Sequence, residues 1–254
     1  MVRAYFRYLF RSVNQHGIHS PFVYDLVTRC FYNSTPHTSY NTINQYRKKL
    51  LKDKSTILIT DFGAGSRVFT SQKRKVTQIA RTAGISLRNA YLLNRIIRYF
   101  NVRTVLELGT SLGIGSCAMA SAHDQCFVTT VEGCSKTAQV AQNTLDAYKI
   151  YNCKVVNSTF DAFLDSLTNE KFDLIYIDGH HSKQPTLRYF EKLIAHTGKN
   201  SLLIFDDIHW SSDMESAWNT IKTHSKVTLT IDIFSLGLVF FKEVKAKQHF
   251  TVRF

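Results

Sequence analysis

The sequence predicts an α/β fold: a doubly wound, mostly parallel sheet of seven strands that ends in an antiparallel hairpin. A helical, basic N-terminal region precedes it. Three observations carry this prediction. Five apolar runs of strand length each stop at an acid or a polar residue: one ends at Glu107, and the others span 126–131, 154–157, 172–177 and 201–205. Amphipathic stretches of helical length separate them, near 114–122, 135–150, 160–168 and 183–196, and strands alternating with helices pair in parallel. Finally, residues 1–103 hold 18 Lys and Arg against three acids (Asp25, Asp53, Asp61), a net +15, whereas the remainder holds 14 against 16. The boundary between a basic region (1–100) and a nearly neutral sheet domain (101–254) is drawn on that asymmetry.

The N-terminal region has helical periodicity over 1–14, 21–32, 40–53 and 86–100. Arg3, Arg7 and Arg11 recur every four residues and form a stripe on a helix whose other face carries Phe6, Leu9, Phe10 and Val13. Ser20-Pro21 suits a helix start, with Ser20 as the cap. The segment Asp61-Phe62-Gly63-Ala64-Gly65-Ser66 follows the apolar Ile57-Leu58-Ile59, but no ladder of strands follows it, and it reads as a mobile loop on the substrate side.

The first strand of the sheet leads into Glu107-Leu108-Gly109-Thr110-Ser111-Leu112-Gly113-Ile114-Gly115 and then a helix through Ala118, Ala120 and Ala122. Gly109 supplies the dihedral freedom for a sharp turn, while Gly113 and Gly115 let a ligand and the next helix approach the backbone. Strand–glycine loop–helix units of this kind bind nucleotide-like cofactors at the carboxyl edge of a sheet. The first glycines stand further apart than in Gly-x-Gly-x-x-Gly, and no Lys-Ser/Thr follows, which excludes a P-loop.

The spacing Glu-x-Gly-x-x-x-Gly-x-Gly resembles motif I of the class I S-adenosylmethionine (SAM) dependent methyltransferases, whose sheet is Rossmann-like. The resemblance implies SAM as cofactor, with Glu107, Gly109, Thr110, Ser111, Gly113 and Gly115 around it. The second strand ends at Glu132, close to the roughly 20-residue spacing at which an acid holds a ribose diol; a solvated acid at a strand end is the plainer account. The third strand leads to Ser158-Thr159-Phe160-Asp161. In the resembling family this loop faces the adenine, which implies Phe160 over the ring and Asp161 at its amino group, although Asp161 serves equally well as a helix cap.

The fourth strand, Phe172–Ile177, runs into Asp178-Gly179-His180-His181, and the fifth, Ser201–Phe205, into Asp206-Asp207-Ile208-His209-Trp210. Both are apolar throughout, as strands buried on two faces should be. A helix near 212–224 follows. Segments 226–232 and 236–241 then lie too close together for a helical crossover, so they form the antiparallel hairpin.

Asp178, His181 and His209 are the candidate catalytic residues, and Asp178 also borders the cofactor. Three carboxylates at adjacent strand tips, Asp178, Asp206 and Asp207, cannot all ionise at close range without a cation, which points to a hard ion such as Mg²⁺. Asp-Gly-x-His after strand four and Asp-Asp after strand five also resemble the branch of small-molecule O-methyltransferases that includes sugar- and antibiotic-tailoring enzymes. That resemblance implies the same three aspartates as metal ligands, with Asp178 or His181 accepting the hydroxyl proton. Ser182-Lys183 stand where that branch often has an aromatic residue. The plainer account of Asp206-Asp207 is a strand-end pair with one acid capping the helix near Ser212, and of both histidines, hydrogen-bonded loop residues.

Other classes are narrowed by composition. The five cysteines (30, 117, 126, 134, 153) form no Cys-x-x-Cys pair, which argues against zinc and against a disulfide framework. No apolar run reaches the roughly 20 residues that span a bilayer, and arginines interrupt the apolar residues of the N-terminal segment, so a cytoplasmic enzyme is expected. The basic region allows an anionic small-molecule acceptor, nucleic acid, or a membrane surface touched by the N-terminal helix. An RNA methyltransferase is disfavoured because strand four lacks the Asn/Asp-Pro-Pro-Tyr/Phe tetrad. A non-catalytic SAM-binding protein that docks on anionic surfaces stays open, as does the oligomeric state.

Overall fold

Helix caps and apolar periodicity place the elements close to where the sequence puts them. The structure, a computed structural model, describes residues 2–60, 71–243 and 246–254; the 61–66 segment lies outside the described residues. In chain order the helices are α1 (Val2–Arg11), α2 (Pro21–Leu26), α3 (Thr38–Lys52), α4 (Val76–Thr82), α5 (Leu87–Phe100), α6 (Ile114–Ala120), α7 (Ser135–Ala147), α8 (Phe160–Ser166), α9 (Lys183–Ile194) and α10 (Ser212–Thr223). The strands are β1 (Thr56–Leu58), β2 (Lys73–Lys75), β3 (Thr104–Leu108), β4 (Phe127–Glu132), β5 (Cys153–Asn157), β6 (Leu174–Ile177), β7 (Leu202–Asp206), β8 (Leu229–Asp232), β9 (Leu236–Phe240) and β10 (Gln248–Thr251). Two compact units contain them: residues 34–166, and residues 1–33 together with 167–254. Residues 1–33 thus share a unit with the C-terminal strands rather than with the rest of the basic region.

In the unit 34–166, β3, β4 and β5 pair in parallel in that order, with Glu107 opposite Thr130 and Glu132 opposite Asn157. Helix α5 begins at Ser86, whose side chain accepts from the Asn89 amide, and stops at Asn101 in the left-handed region. Its apolar stripe, Leu92, Leu93, Ile96 and Ile97, is fully buried. The same helix buries Asn94, which donates to the Ala118 carbonyl (2.8 Å) and accepts from Ser39 and Arg98 (3.1 Å each). That one amide ties α3, α5 and α6 together, and its satisfied state is what makes its burial tolerable. Ile57 and Leu58 do find strand partners: β1 pairs antiparallel with β2, a ribbon that the sequence reading missed because Lys73-Arg74-Lys75 looks like a solvated charge run.

In the other unit β6 and β7 are parallel, and β9 runs antiparallel to both β7 and β8, giving the expected hairpin. Every residue of β6, β8 and β9 is buried. The seven expected strands are all present as β3–β9. An eighth, β10, pairs in parallel with β8 and corrects the expected count. Its sequence, Gln-His-Phe-Thr, carries little apolar alternation. The backbone after α1 steadies it, with Val13 N donating to Thr251 O and Arg253 N to Val13 O (2.9 Å each). Ser20 does precede α2, with Pro21 in the first turn, but its side chain makes no cap hydrogen bond.

Trp218 on α10 is buried and approaches β9 closely because Gly237 has no side chain. A Cβ there would stand 2.8 Å from two ring carbons of the indole and 3.0 Å from Ile208. Gly237→Ala is therefore expected to lower stability by about 1–3 kcal/mol, the usual cost of overpacking a filled core, measurable as a lower midpoint in urea. An unchanged midpoint would show that the indole can retreat.

Candidate functional site

The glycine loop is built by alternating backbone signs. Gly109 (φ 107°), Ser111 (φ 49°) and Gly113 (φ 79°) all lie in the left-handed region. Glycine takes this conformation freely, whereas Ser111 is strained there by roughly 1–2 kcal/mol. The strain is held by β4: Gly109 N (3.0 Å) and Thr110 N (3.3 Å) both donate to Val131 O, and the Thr110 and Thr130 hydroxyls meet at 2.6 Å. Gly113 is fixed by a second constraint, since a Cβ would meet the Tyr46 hydroxyl at 2.5 Å. That hydroxyl, brought in by α3, donates to the Leu112 carbonyl at 2.9 Å. Tyr46 is thus a supporting residue that the sequence reading missed. It sits on one more amphipathic helix, 66 residues from its partner, and nothing local signals the contact.

The candidate cofactor residues of this unit gather at the carboxyl edge of β3–β5. Glu132 accepts from Ser111 N through one carboxylate oxygen and from Cys134 N through the other, both at 2.9 Å. One carboxylate thus holds the loop from the strand tip at which a ribose diol is expected. The next loop is tied to the same point: Asn157 donates to Glu132 O (2.7 Å) and Gly133 O (3.1 Å), and Ser158 N to Glu132 O (3.1 Å). Phe160 and Asp161 follow, half-buried in the first turn of α8. Glu107 is almost wholly buried and accepts a short hydrogen bond from Ser116, while Gly115 is buried inside α6.

The other unit carries the remaining candidates. Asp178 and His181 follow β6, and Asp206 and Asp207 end β7. Three non-glycine residues here, His180 (φ 63°), His181 (φ 36°) and Asp207 (φ 51°), again sit in the left-handed region. The His181 ring stands 3.4 Å from Asp178. Burial alone would lower the His181 pKa, but the hydrogen bond and charge of Asp178, with the charge of Asp207, outweigh it and leave the group above its ordinary value. Burial first, then the charges of Asp178 and Asp207, pushes the Asp206 carboxyl well above the ordinary range. Asp207 is raised too, by burial and by Asp178, with the charge of His181 opposing.

The fit to a metal is poor. Among the described residues, no group of three or more His, Cys, Asp or Glu side chains could hold a metal ion. Asp178, Asp206 and Asp207 feel one another's charge without forming such a set. Helix α10 is capped by Ser211, which accepts from Met214 N, and not by either aspartate. His209 turns into a separate cluster, its Nε2 2.8 Å from Asp232 and its Nδ1 3.1 Å from Glu215, with its ring stacked on Phe234. Both ring nitrogens are engaged by carboxylates, which together overcome burial and raise its pKa.

Comparison with known proteins follows these lines. Residues 106–208 match a protein-family model described as a methyltransferase domain. No curated protein sequence matches the chain. Among solved structures, the chain resembles an O-methyltransferase from Bacillus cereus in complex with S-adenosylhomocysteine (TM-score 0.56, 16% identity, covering 85% of this chain and 96% of that one). It also resembles a methyltransferase from Podospora anserina bound to the same product (0.61, 14%, 89% and 97%). A third is the O-methyltransferase TomG from Streptomyces achromogenes, involved in tomaymycin synthesis and solved with SAM (0.55, 16%, 91% and 100%). These likenesses establish the Rossmann-like α/β fold.

The raised Asp206 carboxyl gives a signed prediction. A carboxyl whose folded pKa lies above its unfolded value stabilises the fold at low pH, and that contribution is lost as the pH rises through the folded pKa. Asp206→Asn should therefore be more stable than the parent at pH 8, and the gap should close as the pH falls toward the unfolded carboxyl pKa of about 3.9. Thermal denaturation across that range reads it. A variant less stable at pH 8 would mean that the Asp206 carboxylate is held by an attraction, and reversal only on adding Mg²⁺ would identify that attraction as a cation.

Proposed function

We propose, from the match of residues 106–208 to a methyltransferase-domain model, that this chain is an enzyme transferring the methyl group of SAM to an oxygen of a small acceptor. One observation carries the reading. Glu132 pins the strained glycine loop through Ser111 N and sets a carboxylate at the strand edge it shares with Phe160 and Asp161, where a ribose diol would be held. Gly109 and Gly113, with no side chains, leave the loop backbone open to close approach. SAM supplies a methyl group on a sulfonium sulfur, ready for in-line displacement.

The protein's part is to orient the acceptor and take its proton. His181 is the better placed base, because Asp178 and Asp207 stabilise its imidazolium once the hydroxyl proton has arrived. Asp178 orients the ring. His209, with both nitrogens engaged, anchors the loop after β7 instead of exchanging protons. Asp206 and Asp207 set the local field, and among the described residues the three aspartates form no metal-holding set.

Calorimetric titration with SAM and S-adenosylhomocysteine tests the reading. Both should bind, and Glu132→Ala should weaken them by about 1.5–3 kcal/mol, roughly ten- to a hundredfold. Absence of binding to the wild-type chain would sink the cofactor assignment.

A second, compatible reading concerns α1. Val2 (72% exposed), Phe6 (56%) and Phe10 (89%) line one side of the helix beside the exposed Arg3, and no described helix is long and apolar enough to cross a membrane. An apolar stripe flanked by a cation suits the surface of an anionic bilayer. The chain should co-sediment with phosphatidylserine vesicles more than with phosphatidylcholine ones, and Phe6→Ser with Phe10→Ser should abolish it. Equal recovery with both lipids would discard the docking reading.

A further inference from the structure

Within the unit formed by 1–33 and 167–254, α1 and α10 face each other across a cavity of about 100 Å³. Ala4, Arg7, Tyr8 and Arg11 line it from one helix, and Glu215, Trp218, Asn219 and Lys222 from the other, each set at helical spacing. His209, Asp232 and Thr251 close it from the sheet side.

Each carboxylate oxygen in this cavity already has a partner. Glu215 meets Arg7 (3.3 Å) and His209 (3.1 Å), and Asp232 meets His209 (2.8 Å) and the Phe234 amide (2.8 Å). The Tyr8 hydroxyl donates to the Val252 carbonyl (2.6 Å) and accepts from Phe254 N (3.3 Å). What is left over can only donate. The Trp218 indole is 2% exposed, and its Nε1 finds no hydrogen-bond partner among the described residues. Arg11 and Lys222 make no hydrogen bond or ion pair with described residues; Lys222 feels the attraction of Asp232 and, less strongly, the repulsion of Arg11. A buried indole N–H without an acceptor is one penalty, and the repulsion between Arg11 and Lys222 is a second. A group carrying acceptor oxygens and negative charge would remove both penalties at once.

We infer that this cavity is a binding site for a small oxyanion, a phosphate or carboxylate group, held by Arg11, Lys222 and the indole N–H of Trp218 with Arg7 at its edge. Its position gives it a use. Strands β7, β9 and β8 are successive neighbours, with Asp206 opposite Leu236 and Asp232 opposite Gly237. Asp232 therefore stands two strand spacings, about 9–10 Å, from Asp206. An acceptor whose anionic end sat in the cavity would reach the strand tips with its other end. This second step rests on the proposed methyl transfer, whereas the site itself does not.

Titration of the full chain with inorganic phosphate, at constant ionic strength and without SAM, tests the site separately from the cofactor. Saturable binding in the millimolar range or tighter is expected. Arg11→Gln and Lys222→Gln should each weaken it about tenfold, and Lys48→Gln, on the exposed face of α3, should not. Trp218→Phe keeps the packed ring, removes the donor, and should also weaken binding. Thermal midpoints without phosphate confirm that each variant folds. Phenyl phosphate separates the two sources: tighter binding than inorganic phosphate marks a group carried by the acceptor, and binding of inorganic phosphate alone marks a free ion. No saturable phosphate binding, or binding indifferent to Arg11, Lys222 and Trp218, overturns the assignment.

Discussion

The glycine loop depends on one carboxylate. Glu132 accepts from Ser111 N on one side and from Cys134 N on the other, so a single side chain joins the β3–α6 turn to the start of α7. Ser111 needs that support because it holds a left-handed conformation without being glycine. The loop after β5 hangs from the backbone of the same residue, through Asn157 and Ser158. An acid at this strand tip therefore has a structural task before any ligand arrives. A ribose held at this strand tip would meet the same carboxylate, so folding and binding would draw on one group.

The tips of β6 and β7 show the opposite arrangement. There the carboxylates repel, and Asp206 and Asp207 are both pushed toward their protonated forms. His181 gains from the same field, since its cation is the one charge the cluster welcomes. A ring that becomes more basic beside two aspartates can accept a proton from a neutral hydroxyl and hold it while the methyl group arrives. His209 lies only two residues beyond Asp207 but differs in kind. Clamped between Asp232 and Glu215, it has both ring nitrogens engaged, so it joins the loop after β7 to α10 and the end of β8. Two histidines that look alike in the sequence are separated by their partners.

Much of the fold was legible because it is written in local patterns. The apolar runs ending at Glu107, Glu132, Asp178 and Asp206 correspond to β3, β4, β6 and β7, and the hairpin follows from the short gap between its strands. The glycine loop was legible because its spacing leaves few other uses. What could not be read depends on distant partners. Strand β10 owes its place to β8 and to the backbone after α1, and its own four residues carry no periodic signal. Tyr46 serves the glycine loop from another helix, and the clamp on His209 joins α10 to the end of β8. Such contacts are set by tertiary packing, which periodicity does not encode.

The basic character of the first hundred residues also changes meaning once partners are known. Arg29 pairs with Asp25 at 2.8 Å, Arg98 lies over the Tyr40 ring and hydrogen-bonds Asn94, and Lys49 sits over Tyr148. Arg7 is drawn to Glu215. Several of the cations that suggested a broad electrostatic footprint are therefore part of the protein's own packing, where a cation on an aromatic face or a carboxylate is stabilised in place. On α1, Arg3 stands beside an exposed aromatic stripe, and Arg11 and Lys222 feel each other's charge. Cations set in such places suit small anionic groups or a lipid headgroup layer.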